Sequence, residues 1–268
     1  RENIADLEDR IEFVEGDITD EKTTLNVCRN VKNVLHLAAL PSVPRSVEDP
    51  VGTGVVNVSG TLRMLIAARD NKVERFVLST SSAVYGDTPV LPKQEDMMPL
   101  PLSPYAVHKL TCEYYCRIFR DLYGLRTFAL RYFNVFGPRQ NPKSQYAAVV
   151  PLFIEALKAG KAPVIFGDGE QQRDFTFVEN VVDANLRCCE ADESAAGGVF
   201  NIANGKKVSV NQLANGLHKL VGKGKKPVHD PPRAGDIRDS QGDITRARTI
   251  LGWEPRIGFE EGLQRTVN

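Results

Sequence analysis

Arg75-Phe76-Val77-Leu78-Ser79-Thr80-Ser81-Ser82-Ala83-Val84-Tyr85-Gly86 is an apolar run ending in hydroxyl residues, and Tyr105-Ala106-Val107-His108-Lys109 begins 24 residues after Ser81. The first stretch reads as a strand over residues 76–79. Pro104 opens a helix that extends to Tyr123, where Gly124 is placed to cap it. On that helix Tyr105 and Lys109 stand at i and i+4 and share a face. A free phenol has a pKa of about 10, too high for a base at neutral pH. A neighbouring ammonium favours the phenolate and lowers that value. A strand-ending Ser81, a Tyr and a Lys together read as a proton-transfer site in which the Ser orients a substrate hydroxyl. A Tyr-x-x-x-Lys pair alone also fits a surface helix with one packed aromatic; the Ser cluster and the Pro104 start argue for the site.

Outward from this pair, strands and helices alternate. Residues 11–15 are expected as a short strand and 20–29 as a helix begun at Thr19 or Asp20. Residues 34–38 read as an apolar strand ending in small side chains, and Pro41 and Pro44 as an extended turn. Residues 55–71 place Leu62, Leu65 and Ile66 at helical spacing, and 126–131 form a further strand. This order predicts an α/β fold with a doubly wound parallel sheet, active residues lying at strand C-termini. After about Pro138 the rhythm changes. A helix over 149–159 stopped by Gly160, a strand Val164–Phe166, a Gly167-Asp168-Gly169 turn, a helix Val178–Glu190, a strand over 199–203 and a helix near 210–220 are expected. Lys223-Gly224-Lys225-Lys226 reads as a solvated polar turn. The division predicted is a Rossmann-like first domain, 1–138, and a smaller α/β lobe, 139–268, with some segments returning to the first domain.

A hydrophobic content of 42% and a charged content of 25% are ordinary for a globular chain. Formal net charge is zero, which argues against a broad nucleic-acid footprint. On sequence, no apolar run approaches the ~18 residues of a membrane span. The five cysteines, Cys28, Cys112, Cys116, Cys188 and Cys189, have neither metal-ligand nor disulfide spacing. They read as buried or half-buried thiols of a reducing, cytoplasmic compartment.

The ordered set Gly16-Asp17-Ile18, His36-Leu37-Ala38-Ala39, Asn57-Val58-Ser59-Gly60-Thr61, Ser81, Tyr105 with Lys109, Leu130-Arg131-Tyr132-Phe133-Asn134-Val135-Phe136-Gly137, Arg173-Asp174-Phe175 and Arg233-Ala234-Gly235-Asp236 resembles the extended short-chain dehydrogenase/reductase family. More narrowly it resembles the nucleotide-sugar 4-epimerases acting on UDP-glucose and UDP-N-acetylglucosamine, from about Phe13 to the C-terminus. The resemblance implies NAD as cofactor, a UDP-sugar substrate and a homodimer built through the Tyr105 helix, with Leu110, Tyr114 and Ile118 available for the contact. It assigns Ser81, Tyr105 and Lys109 to catalysis. Asp17 and Ile18 would meet the adenine, and Leu37, Ala38 and Ala39 would lie along the cofactor. Asn57 would support the nicotinamide end and Phe133 contact the ring; the plain alternatives are an exposed Asn and a core Phe. Asn134, Arg173 and Arg233 would hold the sugar diphosphate, because guanidinium forks match phosphate oxygens. Asp236 would take the ribose hydroxyls, and Val164 and Phe166 belong to the uracil-binding strand.

Related dehydratases and decarboxylases carry acidic residues after the Ser/Thr, whereas Ser82 and Ala83 stand here, which favours simple epimerisation. Ser240 occupies the position that walls the sugar pocket, where a small residue leaves room for a 2-acetamido group. The turn Ser42-Val43-Pro44-Arg45-Ser46 resembles the N-acetylhexosamine group, and could instead serve UDP-hexuronic acids through Ser42 or Arg45. One departure is large. The glycine-rich G-x-x-G-x-x-G turn that cradles the dinucleotide pyrophosphate is missing from the sequence. The chain is accordingly read as a fragment lacking the first strand–helix–strand unit and expected to bind NAD poorly, with an inactive nucleotide-sugar-binding truncation as the alternative to an epimerase.

Overall fold

A computed structural model describes residues 2–142, 148–232 and 237–268. A 3₁₀ helix, Glu2–Arg10, opens the chain. Asp20 accepts from the Thr23 N–H and caps α1 (Glu21–Val27), which leads to strand β1 (Asn33–His36). Ser42 caps α2 (Val43–Glu48), and Asp49 caps α3 (Pro50–Gly54). A π-helical turn, Val55–Gly60, then continues into α4 (Thr61–Asp70). Strand β2 (Arg75–Ser81) ends in a 3₁₀ turn, Ser82–Tyr85. Helix α5 (Pro104–Tyr123) starts at the Ser103 cap and stops at Gly124, whose φ of 70° is left-handed, as the sequence predicted. Strand β3 (Arg126–Tyr132) follows.

These strands form one parallel sheet in the order β1-β2-β3, extended on the far side of β3 by the strand Val199–Ile202. The α/β parallel architecture is the predicted one. Phe76, Leu78, Leu65, Ala67, Ala68 and Cys112 pack on one face of the sheet, and Val77, Phe128, Leu130, Phe200 and Trp253 on the other. Each such large side chain contributes about 1.5–3 kcal/mol on removal from water, so α4 and α5 are held to the sheet by this face rather than by helix propensity.

The second half adds β4 (Val135–Phe136), α6 (Val149–Lys158), β5 (Val164–Phe166), β6 (Gln172–Arg173) and β7 (Thr176–Phe177). Then come α7 (Val178–Glu190), β8 (Val199–Ile202), β9 (Val208–Ser209), α8 (Val210–Val221), β10 (Val228–Asp230), α9 (Thr245–Leu251) and α10 (Phe259–Val267). A second core of Phe136, Phe153, Leu157, Phe175, Phe177, Leu213, Leu217 and Phe259 joins α6, α8 and α10. Helix α7 packs on β2 and β3, and α9 on β8, of the four-stranded sheet.

Three local expectations are corrected. Residues 11–15 form no strand, because no described strand lies beside them; Phe13 and Val14 are exposed. Pro44 does not extend the chain but sits in the first turn of α2, where a missing N–H costs nothing. The run Pro50–Asp70 is, by length and composition, long and apolar enough to cross a membrane, contrary to the sequence reading. It is instead a core helix here, with Leu65, Ala67 and Ala68 fully buried. The cysteines are free thiols, four buried and Cys189 half-buried, as expected.

Candidate active site

Ser81 stands at the C-terminal end of β2, and its Oγ accepts from the Ala83 N–H at 3.2 Å, turning the chain into the 3₁₀ segment that carries Ser82. Tyr105 is the second residue of α5, and its backbone N–H donates to Ser46 Oγ of α2 at 3.0 Å. Ser46 also donates to the Val43 carbonyl at 2.7 Å, so α2 fixes where α5 begins. The sequence offered no signal for Ser46, since its partner is 59 positions away.

Lys109 is buried at 6% exposure, with Nζ 5.9 Å from the Tyr105 ring centroid. Its ammonium donates to the Ser79 carbonyl at 2.7 Å, using one of its three N–H bonds. Burial lowers its pKa to about 8, opposed by the neighbouring Cys112 and then by Glu113. The Tyr105 phenol is pushed above its ordinary value by burial, against a downward pull from its hydrogen bond to Ser81. The sequence reading has the Lys109 ammonium lowering the Tyr105 pKa; here that ammonium donates to Ser79, and burial outweighs the hydrogen bond from Ser81.

Asn57 is 2% exposed, not a surface residue. Its carboxamide accepts from the Leu40 N–H at 2.7 Å and donates to the Leu40 carbonyl at 3.2 Å, clamping the segment after β1. The π-helical turn, a form frequent at functional sites, places it there. Leu37 and Ala38, just upstream, are exposed. Thr61 donates its single hydroxyl proton to the Asn57 carbonyl at 2.7 Å, so toward His36 Nε2, 2.9 Å away, it can only accept. His36 therefore carries its proton on Nε2, and burial and Lys109 depress its pKa to about 4.

Asp17 is exposed and accepts from Thr19 N at 2.7 Å and Thr19 Oγ1 at 2.8 Å, which hold its carboxyl below the usual range. Ile18 packs toward Gly60, where an added Cβ would lie 2.7 Å from Ile18 Cδ1; only glycine allows that approach. Phe133 is fully buried beside Tyr85 and beneath Gly242, the core alternative left open above. Asn134 is exposed.

On the other side, Arg173 lies on β6, with Nη1 2.9 Å from the Gln172 carbonyl and 3.2 Å from that of Arg238. The segment carrying Ser240 runs beside it, Ser240 N–H donating to the Gln172 carbonyl at 3.1 Å. Phe166 lines a cavity of about 600 Å³ with Gln171, His229 and Arg238, while Val164, on the same strand, is exposed. Ser42 is buried as the α2 cap, and Arg45, one turn on, is exposed. Arg233 and Asp236 lie outside the described residues. Asp174, unremarked in the sequence beyond its motif, is fully buried and accepts N–H bonds from Asn204, Gly205 and Gly242 at 2.7, 3.0 and 3.2 Å. It ties the Arg173 strand to the Gly242 segment that covers Phe133.

The family profile "Epimerase: NAD dependent epimerase/dehydratase family" matches residues 1–203. This chain belongs to that family. It is 43% identical over 266 residues to the UDP-glucose 4-epimerase of Mycolicibacterium smegmatis, covering 98% of this chain and 84% of that protein. The crystal structure of a UDP-glucose 4-epimerase with UDP-glucose from Thermotoga maritima superposes with a TM-score of 0.93 at 40% identity, over 98% of this chain and 85% of that one. A UDP-N-acetylglucosamine 4-epimerase from Methanobrevibacter ruminantium M1, in complex with UDP-N-acetylmuramic acid, gives 0.90 at 40%, over 95% and 81%. The sequence's resemblance to an extended short-chain dehydrogenase/reductase of the nucleotide-sugar epimerase type stands, and NAD is the cofactor of such enzymes.

The donor set fits the nicotinamide-ribose end of that cofactor. Lys109 spends one of its three ammonium protons on Ser79, Tyr105 lies beside it, and Leu37 and Ala38 are exposed just before the Leu40 backbone that Asn57 clamps.

Proposed function

We propose that this protein interconverts the C4 epimers of a UDP-hexose, with UDP-N-acetylglucosamine and UDP-N-acetylgalactosamine as the preferred pair. The observation that carries the reading is Ser81, Tyr105 and Lys109 gathered at the end of β2 with Ser82 and Ala83 beside them, so that a proton can be moved at one oxygen only. Bound NAD supplies the acceptor and donor for the C4 hydride. Tyr105 Oη takes the proton of the C4 hydroxyl, and Ser81 Oγ holds the same oxygen. Tyr105 takes that proton as the phenolate, whose negative charge the Lys109 ammonium stabilises before the proton arrives. After the 4-keto sugar turns over, Tyr105 returns the proton to the opposite epimer. Arg173, with Arg233 and Asn134, anchors the diphosphate while the hexose stays loosely held, and Asp236 and the Val164–Phe166 strand hold the uridine.

Substrate choice rests on Ser240, held against β6 beside Arg173. Incubation with UDP-N-acetylglucosamine, UDP-glucose and UDP-glucuronate, read by NMR at C4, tests it. Turnover of the acetamido sugar, abolished by Ser240→Tyr while UDP-glucose turnover survives, is the expected result. Turnover of the glucuronate alone would move the assignment to a UDP-hexuronate epimerase served by Ser42 and Arg45.

A homodimer through α5 is proposed with it, in a cytoplasmic setting consistent with five free thiols. Tyr114 and Ile118 are exposed on α5 at 54% and 45%, with Val51 and Val55 exposed on the neighbouring α3 run. Leu110, also offered for this contact on sequence, points inward against the Val84, Tyr85 and Phe133 cluster. Ile118→Glu should convert the dimer to monomer in sedimentation velocity; a wild-type monomer would discard the assembly.

A further inference from the structure

Helix α5 presents a third polar side chain on the face of Tyr105 and Lys109. Glu113, one turn past Lys109, is 4% exposed. Its Oε1 accepts from Thr80 Oγ1 at 2.7 Å and Arg131 Nε at 3.0 Å, and its Oε2 accepts from Arg131 Nη2 at 2.7 Å. The guanidinium stacks 4.7 Å from the Tyr85 ring centroid, and the Tyr85 hydroxyl donates to Asn201 Oδ1 at 2.7 Å. Every partner neighbours a residue of the site. Thr80 precedes Ser81 on β2, Arg131 lies on β3 just before Phe133 and Asn134, and Tyr85 ends the turn begun at Ser82.

A buried ion pair is a poor source of stability, because desolvating both charges offsets their attraction; apolar side chains of similar volume often serve as well. A two-pronged guanidinium–carboxylate contact does fix distance and rotation, since both bonds must align. Its own charge also cancels. Lys109 is faced by Tyr105, Cys112 and Glu113 from its own helix and by His36 from β1, and Glu113 is the carboxylate among them. Arg131, from β3, neutralises that carboxylate.

We propose that Glu113 and Arg131 are positioning residues for the proton-transfer step: their paired contact sets the spacing of α5 from β2 and β3, and Arg131 limits how far the Glu113 carboxylate compensates the Lys109 charge beside Tyr105. This rests on Tyr105 being the proton-transfer group.

The test compares Glu113→Gln, Arg131→Met and the double variant Glu113→Leu with Arg131→Met, each loaded with NAD for the rate measurements. Lys109 titrates well below ordinary lysines, so its ¹³Cε resonance can be followed alone by NMR. Glu113→Gln removes a negative charge and should move the Lys109 titration to lower pH. Arg131→Met leaves Glu113 uncancelled and should move it to higher pH. A purely structural role would move both the same way or neither. The double variant should keep the wild-type melting temperature and a KM for the UDP-sugar within about threefold, yet lose about 10–100-fold in kcat through misplacement. Shifts in one direction for both single variants, or a double variant with wild-type kcat, would overturn the proposal. If no UDP-sugar is epimerised at all, the proposed function fails, and the Lys109 titration still decides the charge argument. If a single variant does not fold, the double variant decides through its kcat.

Discussion

The two ends of this site are built by different means. The proton-transfer end rests on one strand end and one helix face: Ser81 closes β2, and Tyr105 and Lys109 follow from a single helical turn. The end proposed to hold the nucleotide rests on short pieces, two- and three-residue strands joined by a carboxylate with three backbone donors. The first needs one strand and one helix of the packed sheet, with Ser46 of α2 holding the start of that helix. The second needs residues separated by 30 to 68 positions, as Asp174 is from Asn204 and Gly242, to meet before any pocket exists.

That contrast can be broken by mutation. The largest effect is expected for Tyr105→Phe, which should cut kcat by about 10²–10⁴ with UDP affinity unchanged in calorimetry. Loss of UDP binding as well would mean the two ends are not separable. Arg173→Met should do the reverse, weakening UDP by about tenfold or more through the lost charge-assisted bonds while the Tyr105–Ser81 contact is left intact. An unchanged UDP affinity would remove Arg173 from the diphosphate site.

The smallest effect sharpens the comparison from the side of stability. His36 has a folded pKa of about 4 against 6.5 unfolded, so the unfolded chain binds the extra proton first as pH falls. Stability should therefore be intact above about pH 6.5 and decline toward pH 4, by up to about 3 kcal/mol. His36→Asn should flatten that slope in urea melts recorded across the range. A slope that persists in the variant would place the acid sensitivity elsewhere, with the nucleotide-holding end the next region to examine.

Much of this was legible in order along the chain. Helices Pro104–Tyr123 and Val178–Glu190 have the predicted bounds because Pro104 and Gly124 punctuate the first and apolar spacing marks the second. Residues 11–15 misled because alternating apolar character was present without a neighbouring strand to pair with. Pro44 misled because a proline reads as a break wherever its cap is not yet seen, and Ser42 supplies that cap. Leu110 was assigned to the surface because one face of α5 cannot be told from another until the turn Ser82–Tyr85 folds over it.

By itself the sequence determined the parallel α/β fold, because period and punctuation are local properties written residue by residue; its ordered motifs carried the resemblance to the family and made Ser81, Tyr105 and Lys109 candidates. Tertiary structure alone decided the protonation balance of Tyr105 and Lys109, the proton position on His36, the clamp of Asn57 on Leu40 and the closure of Glu113 on Thr80 and Arg131. Those depend on burial and on which distant groups meet, and desolvation is a property of the packed interior rather than of any stretch of chain.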